Sequence, residues 1–210
     1  MVGLRGKLVC LSNNGRGDIG NALRQELLLA KVVLVDDTLP IPPAVDFAIC
    51  TVGKMIIRDA GAISESEVDD LYAANYKIPR LFTERHIKAM KREKKKGMIL
   101  HIGSNAARYG NTGADDYAAF KAALAKYIEL RGRSVRQYGI RLSVLNLGGV
   151  DTGFWQKVAQ TADKELAKQI MPDPEKALTA QEVAAVVLAV LQMPERVVIK
   201  DALIMSVDYQ

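Results

Sequence analysis

Cysteine and histidine each occur only twice in the chain. Cys10 and Cys50 both sit inside short apolar runs. They could face each other in neighbouring strands, but buried free thiols are the preferred reading, and a reducing compartment suits them. No cysteine or histidine falls at a metal-ligand spacing, so the sequence offers no metal centre. Long apolar runs are missing as well. None approaches the roughly 18–20 residues that a bilayer crossing needs. The opening Met1–Lys7 segment leads directly into a short apolar strand, without the long apolar stretch of a signal peptide. A cytoplasmic protein with no membrane partner is expected.

The net charge of +5 is moderate. Its densest contributor, Lys91-Arg92-Glu93-Lys94-Lys95-Lys96, has no interleaved aromatic residues and no nucleic-acid-binding motif around it. A solvated helix end is the preferred reading, because cations are favourable near a helix C-terminus. No nucleic-acid partner is expected. The remaining composition, 49% hydrophobic and 25% charged over 210 residues, is that of a globular protein, and the length suits one domain over residues 1–210.

Apolar runs at 8–11, 32–35, 47–52, 97–102, 140–147 and 197–205 read as strands. Helical stretches lie at about 21–30, 65–90, 114–133 and 180–191, with Pro79 either bending the second or dividing it. The strands are continuous apolar runs without polar alternation, the pattern of strands buried on both faces of a parallel sheet. The expected fold class is α/β: a doubly wound, mostly parallel, Rossmann-like sheet of about six strands with helices on both faces.

Gly15-x-Gly17-x-x-Gly20 lies directly between the first strand and the first helix. Glycines there permit a tight turn and bring a diphosphate close to the backbone donors of a helix N-terminus. Asn14, Gly15, Arg16, Gly17, Ile19 and Gly20 are therefore candidate nucleotide-binding residues. Asp36 and Asp37 follow the second strand, where a carboxylate can accept both hydroxyls of an adenosine ribose and repel a 2′-phosphate. NAD is favoured over NADP, although Arg16 could contact a 2′-phosphate and keeps NADP open. Which acid takes the role depends on a one-residue register.

Tyr117 and Lys121 stand four residues apart near the head of a helix, thirteen residues after Ser104. At that spacing the two side chains share one helical face. A lysine beside a phenol favours the phenolate, and a serine hydroxyl brought to the same point could hold a carbonyl or alcohol oxygen. The grouping implies proton transfer coupled to a second event.

With these motifs in place, the chain resembles the short-chain dehydrogenase/reductase family nearly end to end. Its asparagine, serine, tyrosine and lysine correspond to Asn75, Ser104, Tyr117 and Lys121. Leu147-Gly148-Gly149-Val150-Asp151-Thr152 is similar to the segment that lies against nicotinamide, so Gly148, Val150 and Thr152 join the candidate cofactor residues, as does Gly53 after the strand at 47–52. The resemblance implies hydride exchange between NAD, or NADP, and a small-molecule alcohol or carbonyl. Tyr117 would move the oxygen-bound proton, and Lys121 would lower its pKa and hold the nicotinamide ribose. Ser104 would position the substrate oxygen, and Asn75 would fix a helix bend and help hold a water. A homodimer or homotetramer through the two long helices is also implied.

The chain departs from the family at its adenosine side. Aligned on Gly20, Asn13, Asn14 and Asp18 stand at the usual threonine and first two glycines, and an acid beside a diphosphate is unfavourable by charge. Between Asp37 and Val45 the family's helix, third (edge) strand and second helix are missing, replaced by a stretch containing Pro40-Ile41-Pro42-Pro43. The fold still closes: the link must span about 19 Å, and its extended reach is about 26 Å. Weakened adenine binding with an intact catalytic end is expected, together with exposed apolar sheet surface.

Other candidates carry less. His101 reads as a packed or locally bonded strand residue, and His86 as a surface residue in a charged helix. Asn105 and Tyr109 border the substrate region. Phe154, Trp155 and Val158 would either cover an apolar substrate or pack a core or interface. Two functions follow: an oxidoreductase with Tyr117 as general acid/base, or a non-catalytic nucleotide-binding or regulatory protein on the same scaffold.

Overall fold

The computed structural model describes residues 3–59, 61–110 and 112–209. Its strands are β1 (Leu8–Leu11), β2 (Val33–Val35), β3 (Phe47–Cys50), β4 (Gly97–Ser104), β5 (Ile140–Leu147) and β6 (Asp201–Ile204). They form one six-stranded sheet in the order β2-β1-β3-β4-β5-β6. Every pairing is parallel. β3 is buried at all positions and β5 at all but Arg141, which is why these strands are apolar runs without alternation.

Helices cover both faces. On one, α1 (Asp18–Leu29) and α7 (Ala180–Leu191) pack Leu23, Leu27, Val183 and Val187 onto Val9, Ile49 and Leu100. On the other, α3 (Ile78–Arg92) and α4 (Asp115–Val135) set Phe82, Ile87, Leu124 and Ile128 against Cys10, Ala48 and Ile99. Local sequence fixes several helix starts. Thr179 and Glu182 form a reciprocal capping box at α7, and Ser64 and Glu67 do the same at α2 (Glu65–Tyr72).

The sheet ends on β2, so the family's third (edge) strand is missing as expected, and residues 38–46 cross β1 to enter β3 directly. Asp46 anchors the arrival: its N–H bonds the Leu8 carbonyl at 2.9 Å, and its carboxylate pairs with Lys7 and Lys95. The apolar cover is thin at this edge, where Val33 is 51% exposed and Ile41 72%.

Several boundaries differ from expectation. α1 starts at Asp18 because Gly17, at φ 92°, turns the chain straight into the helix. The long helical region is divided by a π-turn over Ala73–Lys77, immediately before Pro79. Pro79 has no N–H to give, and the wider register accommodates that loss. β6 is shorter than its apolar run, and the carbonyl of Val197 instead accepts from the Arg141 guanidinium. The segment after residue 152 folds into α5 (Gly153–Thr161) and α6 (Lys164–Ile170). Cys10 and Cys50 are buried and free. No described helix is long and apolar enough to cross a membrane.

Candidate active site

The C-terminal edge of a parallel sheet is where loops converge and backbone groups are left open for ligands. Ser104 ends β4, and Gly53 lies in the loop that follows β3. The Ser12 hydroxyl at the end of β1 accepts the Thr51 N–H at 2.8 Å, which folds this loop towards β1. Tyr117 and Lys121 enter from the first turns of α4, where the buried series Tyr117, Lys121, Leu124, Ile128 follows the helical period. All of these side chains lie at one end of the sheet.

Asn75 is fully buried in the π-turn. Its amide nitrogen donates to the carbonyls of Leu71 and Lys54, at 3.0 and 2.7 Å, and its oxygen accepts the Lys54 N–H at 3.2 Å. The asparagine thus satisfies a carbonyl beside the break in the helix ladder and pins the Gly53 loop to it. A Cβ on Gly53 would lie 3.0 Å from Lys121 Nζ and 3.3 Å from Asn75 Oδ1. Glycine therefore leaves open a space flanked by an ammonium and an amide oxygen.

Lys121 Nζ is 5.6 Å from the centroid of the Tyr117 ring. Burial pushes the Tyr117 phenol up to about 12, and a hydrogen bond with Ser104 works against the rise. The lowering expected from Lys121 is not found: lost hydration dominates, and the group that opposes it is Ser104. Burial likewise pulls Lys121 down to about 8, opposed by Cys50. The Ser104 hydroxyl accepts the Ala106 N–H at 3.2 Å and lies 3.4 Å from Asn105 Oδ1.

An apolar cap explains the burial. Met55, Ile57, Ala106, Tyr117, Val158 and Ala167 form one cluster, with Phe154 and Trp155 packed against it. Trp155 Nε1 donates to the carbonyl of Val150 at 3.1 Å, which ties α5 to the segment leaving β5. In that segment the Gly148 N–H bonds the Ile204 carbonyl, Val150 is buried and bridges Leu178, and Thr152 stands at the N-cap position of α5 with its hydroxyl on the Val150 carbonyl at 3.4 Å.

The nucleotide side is arranged differently. Asn13 and Asn14 both adopt left-handed backbone, and the turn closes with Gly15 against Gly20 so tightly that a Cβ on Gly20 would meet Gly15 O at 2.6 Å. Arg16 and Gly17 are exposed, whereas Ile19 packs against the core. The turn bonds the expected ribose acids itself. Asp36 accepts from Asn14 Nδ2 and from Thr38, and Asp37 accepts the Asn13 N–H at 2.7 Å while pairing with Arg85. Asp18, in the first turn of α1, accepts the Gly153 N–H at 2.6 Å.

Among the remaining residues, His101 is buried and bonds Thr83 Oγ1 through Nε2 at 2.8 Å, in keeping with a packed role. His86 is not on the surface. It is fully buried and packs on Phe82 at 4.5 Å, because the side chains at 82, 86 and 90 share the inward stripe of α3. Tyr109 is 69% exposed. Sequence reasoning missed Arg85, whose partner Asp37 is remote in the chain.

Comparison with known proteins agrees with this architecture. A family model described as short chain dehydrogenase matches residues 33–163. The (3R)-3-hydroxyacyl-CoA dehydrogenase of Homo sapiens is 30% identical over 117 residues, which are 54% of this chain and 45% of that protein. The NADP-dependent 3-hydroxy acid dehydrogenase of Schizosaccharomyces pombe is 34% identical over 111 residues, 53% of this chain and 42% of that protein. The matched stretch is thus less than half the length of each relative. An alcohol dehydrogenase from the archaeon Thermococcus sibiricus, complexed with 5-hydroxy-NADP, superposes with a TM-score of 0.74 at 18% identity, covering 98% of both chains. A short chain dehydrogenase from Leptospira borgpetersenii with bound NAD+ gives 0.72 at 18% identity, covering 96% of this chain and 92% of that one. At these identities the structural likeness is one of fold.

Proposed function

The chain belongs to the short chain dehydrogenase family, and from that premise we propose a nicotinamide-dependent oxidoreductase acting on a small-molecule alcohol or carbonyl. The observation that carries this reading is the meeting of Tyr117, Ser104, Lys121 and Asn75 beneath one apolar cap. When bound, the nicotinamide supplies the hydride donor or acceptor. Tyr117 then gives a proton to the carbonyl oxygen or takes one from the alcohol, and Ser104 fixes that oxygen in place. Lys121 and Asn75, flanking the space beside Gly53, would hold the ribose next to the nicotinamide. Gly148, Val150 and Thr152 would line its outer side. Phe154 and Trp155 exclude water from the phenol.

The residues fit the nicotinamide-ribose end of such a coenzyme. They fit the other end less well, since Asp36, Asp37 and Asp18 already engage the chain's own donors. The acids favour NAD over NADP, with Arg16 the residue available to a 2′-phosphate. The same self-bonded turn favours a second reading, a non-catalytic binding or regulatory protein on this scaffold. Tyr72, Ile78, Leu81 and Leu130, all exposed on α2, α3 and α4, support a homodimer or homotetramer through that face.

A coenzyme-dependent absorbance assay across ketones, secondary alcohols and 3-hydroxy acids, run beside Tyr117→Phe, tests the reading. The 3-hydroxy acids enter because two relatives are named for 3-hydroxy substrates. Wild-type turnover that falls about 100-fold or more in Tyr117→Phe is expected. Turnover that the substitution leaves unchanged overturns the role of the phenol.

A further inference from the structure

One cluster includes two buried side chains, Cys10 and His86, that have no part in the chemistry above. Cys10 on β1, Asp37 just beyond β2 and His86 on α3 converge from three elements, and their ligand atoms all lie within 4.8 Å of one another. Cys10 and His86 are fully buried. Among the described residues, neither ring nitrogen of His86 has a hydrogen-bond partner. A buried imidazole with both nitrogens unused is costly unless something else engages it. Asp37 closes the cluster on the solvent side. Asn13 N–H holds its Oδ2 at 2.7 Å, which directs Oδ1 to 3.7 Å from Cys10 Sγ, and Arg85 pairs with that oxygen.

We propose that Cys10, Asp37 and His86 form a binding site for a divalent cation of the zinc class, with water as the fourth ligand. One sulfur, one imidazole nitrogen and one carboxylate oxygen make a mixed, borderline-soft donor set. Magnesium and calcium take oxygen ligands almost exclusively, so this set selects against them. Ligand atoms around a tetrahedral zinc stand roughly 3.5 Å apart, given bonds of about 2.0–2.3 Å. Side-chain torsions at Cys10 and Asp37 supply the remaining contraction.

The ligand set is neutral with the cation bound, and the charge that remains on Arg85 is that of a part-exposed guanidinium. The Cys10 thiol releases its proton to solvent on binding, and the thiolate and carboxylate then neutralise the dication. The Arg85 guanidinium leaves Asp37 Oδ1 while its Nη1 keeps the Asp37 backbone carbonyl, 3.1 Å away. The bound cation joins β1, the end of β2 and α3. That is the corner where this chain lacks a third strand, so the site replaces missing cover with coordination bonds. Asp37 is also one of the two acids weighed for the adenosine ribose, so the site borders the proposed coenzyme site, and its test reads metal binding without any coenzyme or turnover.

Cobalt(II) added to the tag-free full chain tests the proposal, because a thiolate–cobalt charge-transfer band reports cysteine ligation directly. The chain has only one other cysteine, Cys50. The band is expected in the wild type and in Cys50→Ser, and it is lost in Cys10→Ser and Cys10→Ala. Competition with zinc should show binding weakened at least tenfold by His86→Leu and by Asp37→Asn. Zinc should also raise the Tm of the wild type in a concentration-dependent way, and not that of the Cys10 variants. Absence of the band in the folded wild type, or a band that survives Cys10→Ser and disappears in Cys50→Ser, overturns the site.

Discussion

Asp18 Oδ2 accepts the backbone N–H of Gly153 at 2.6 Å, which ties the head of α1 to the head of α5. These helices start 135 residues apart in sequence and carry the two ends of the candidate coenzyme site. The carboxylate takes up the positive end of α1 that a diphosphate would otherwise meet. It also holds down the segment that begins the cap over Tyr117.

Replacing this acid with Asp18→Asn keeps a side-chain oxygen for Gly153 and removes the negative charge. NADH should bind about 2- to 5-fold more tightly, the scale of one charge at a helix N-terminus. Fluorescence titration of both proteins measures the ratio. Equal affinities would place the acid outside the path of the diphosphate.

Asn75 offers a structural prediction. Its amide satisfies the carbonyls of Leu71 and Lys54 and the Lys54 N–H, all beside a π-turn. Asn75→Ala leaves these groups without that partner in a buried place, so a loss of roughly 2–4 kcal/mol in stability is expected. Urea unfolding should show a lower midpoint with an unchanged slope. A loss below about 0.5 kcal/mol would mean that water replaces the amide fully.

The proposed oxidoreductase residues and the cation cluster differ sharply in how legible they are. Tyr117 and Lys121 are adjacent on one helix, so their spacing alone places them together. Ser104 and the glycines are found from their positions at strand ends. Strands such as β5 stand out because burial on both faces leaves no polar alternation. α5 and α6 are short and held by cap contacts, although Asp163, which accepts from Glu165 and Leu166, was an available start signal. The π-turn has no periodic signature beyond the nearby proline. His86 is masked by Glu84, Arg85 and Lys88 around it, while Phe82 and Met90 on the same stripe marked it as inward. Cys10, Asp37 and His86 meet only through the sheet order, which no local pattern encodes.

Assembly gives a third test. Leu81 is 52% exposed on α3, with Ile78 and Tyr72 also exposed along the same helical region. An apolar surface of this kind is covered in a stable oligomer. Leu81→Lys should shift the protein towards monomer at least tenfold in dissociation constant, with little effect on monomer folding. Light scattering across a dilution series reads the change. A wild type that is already monomeric at high concentration would remove this face as an interface.

Lys121 makes stability depend on alkaline pH. Burial lowers the ammonium from its ordinary 10.5 to about 8. Between those values the unfolded chain binds more protons at this residue than the folded chain does, so stability rises with pH across the window. Below about pH 8 both states are protonated, and the folded state carries the full penalty, roughly 3 kcal/mol. Lys121→Met removes the charge and keeps most of the apolar stem. It should be more stable than the wild type near neutral pH by up to that amount, and the difference should shrink as pH approaches the unfolded value. Coenzyme-dependent turnover should fall in the same variant, because the ribose partner is lost. Urea unfolding of both proteins near pH 7 and again near pH 10 measures the closing gap. A gap that stays constant with pH would mean that the folded chain keeps the ammonium solvated.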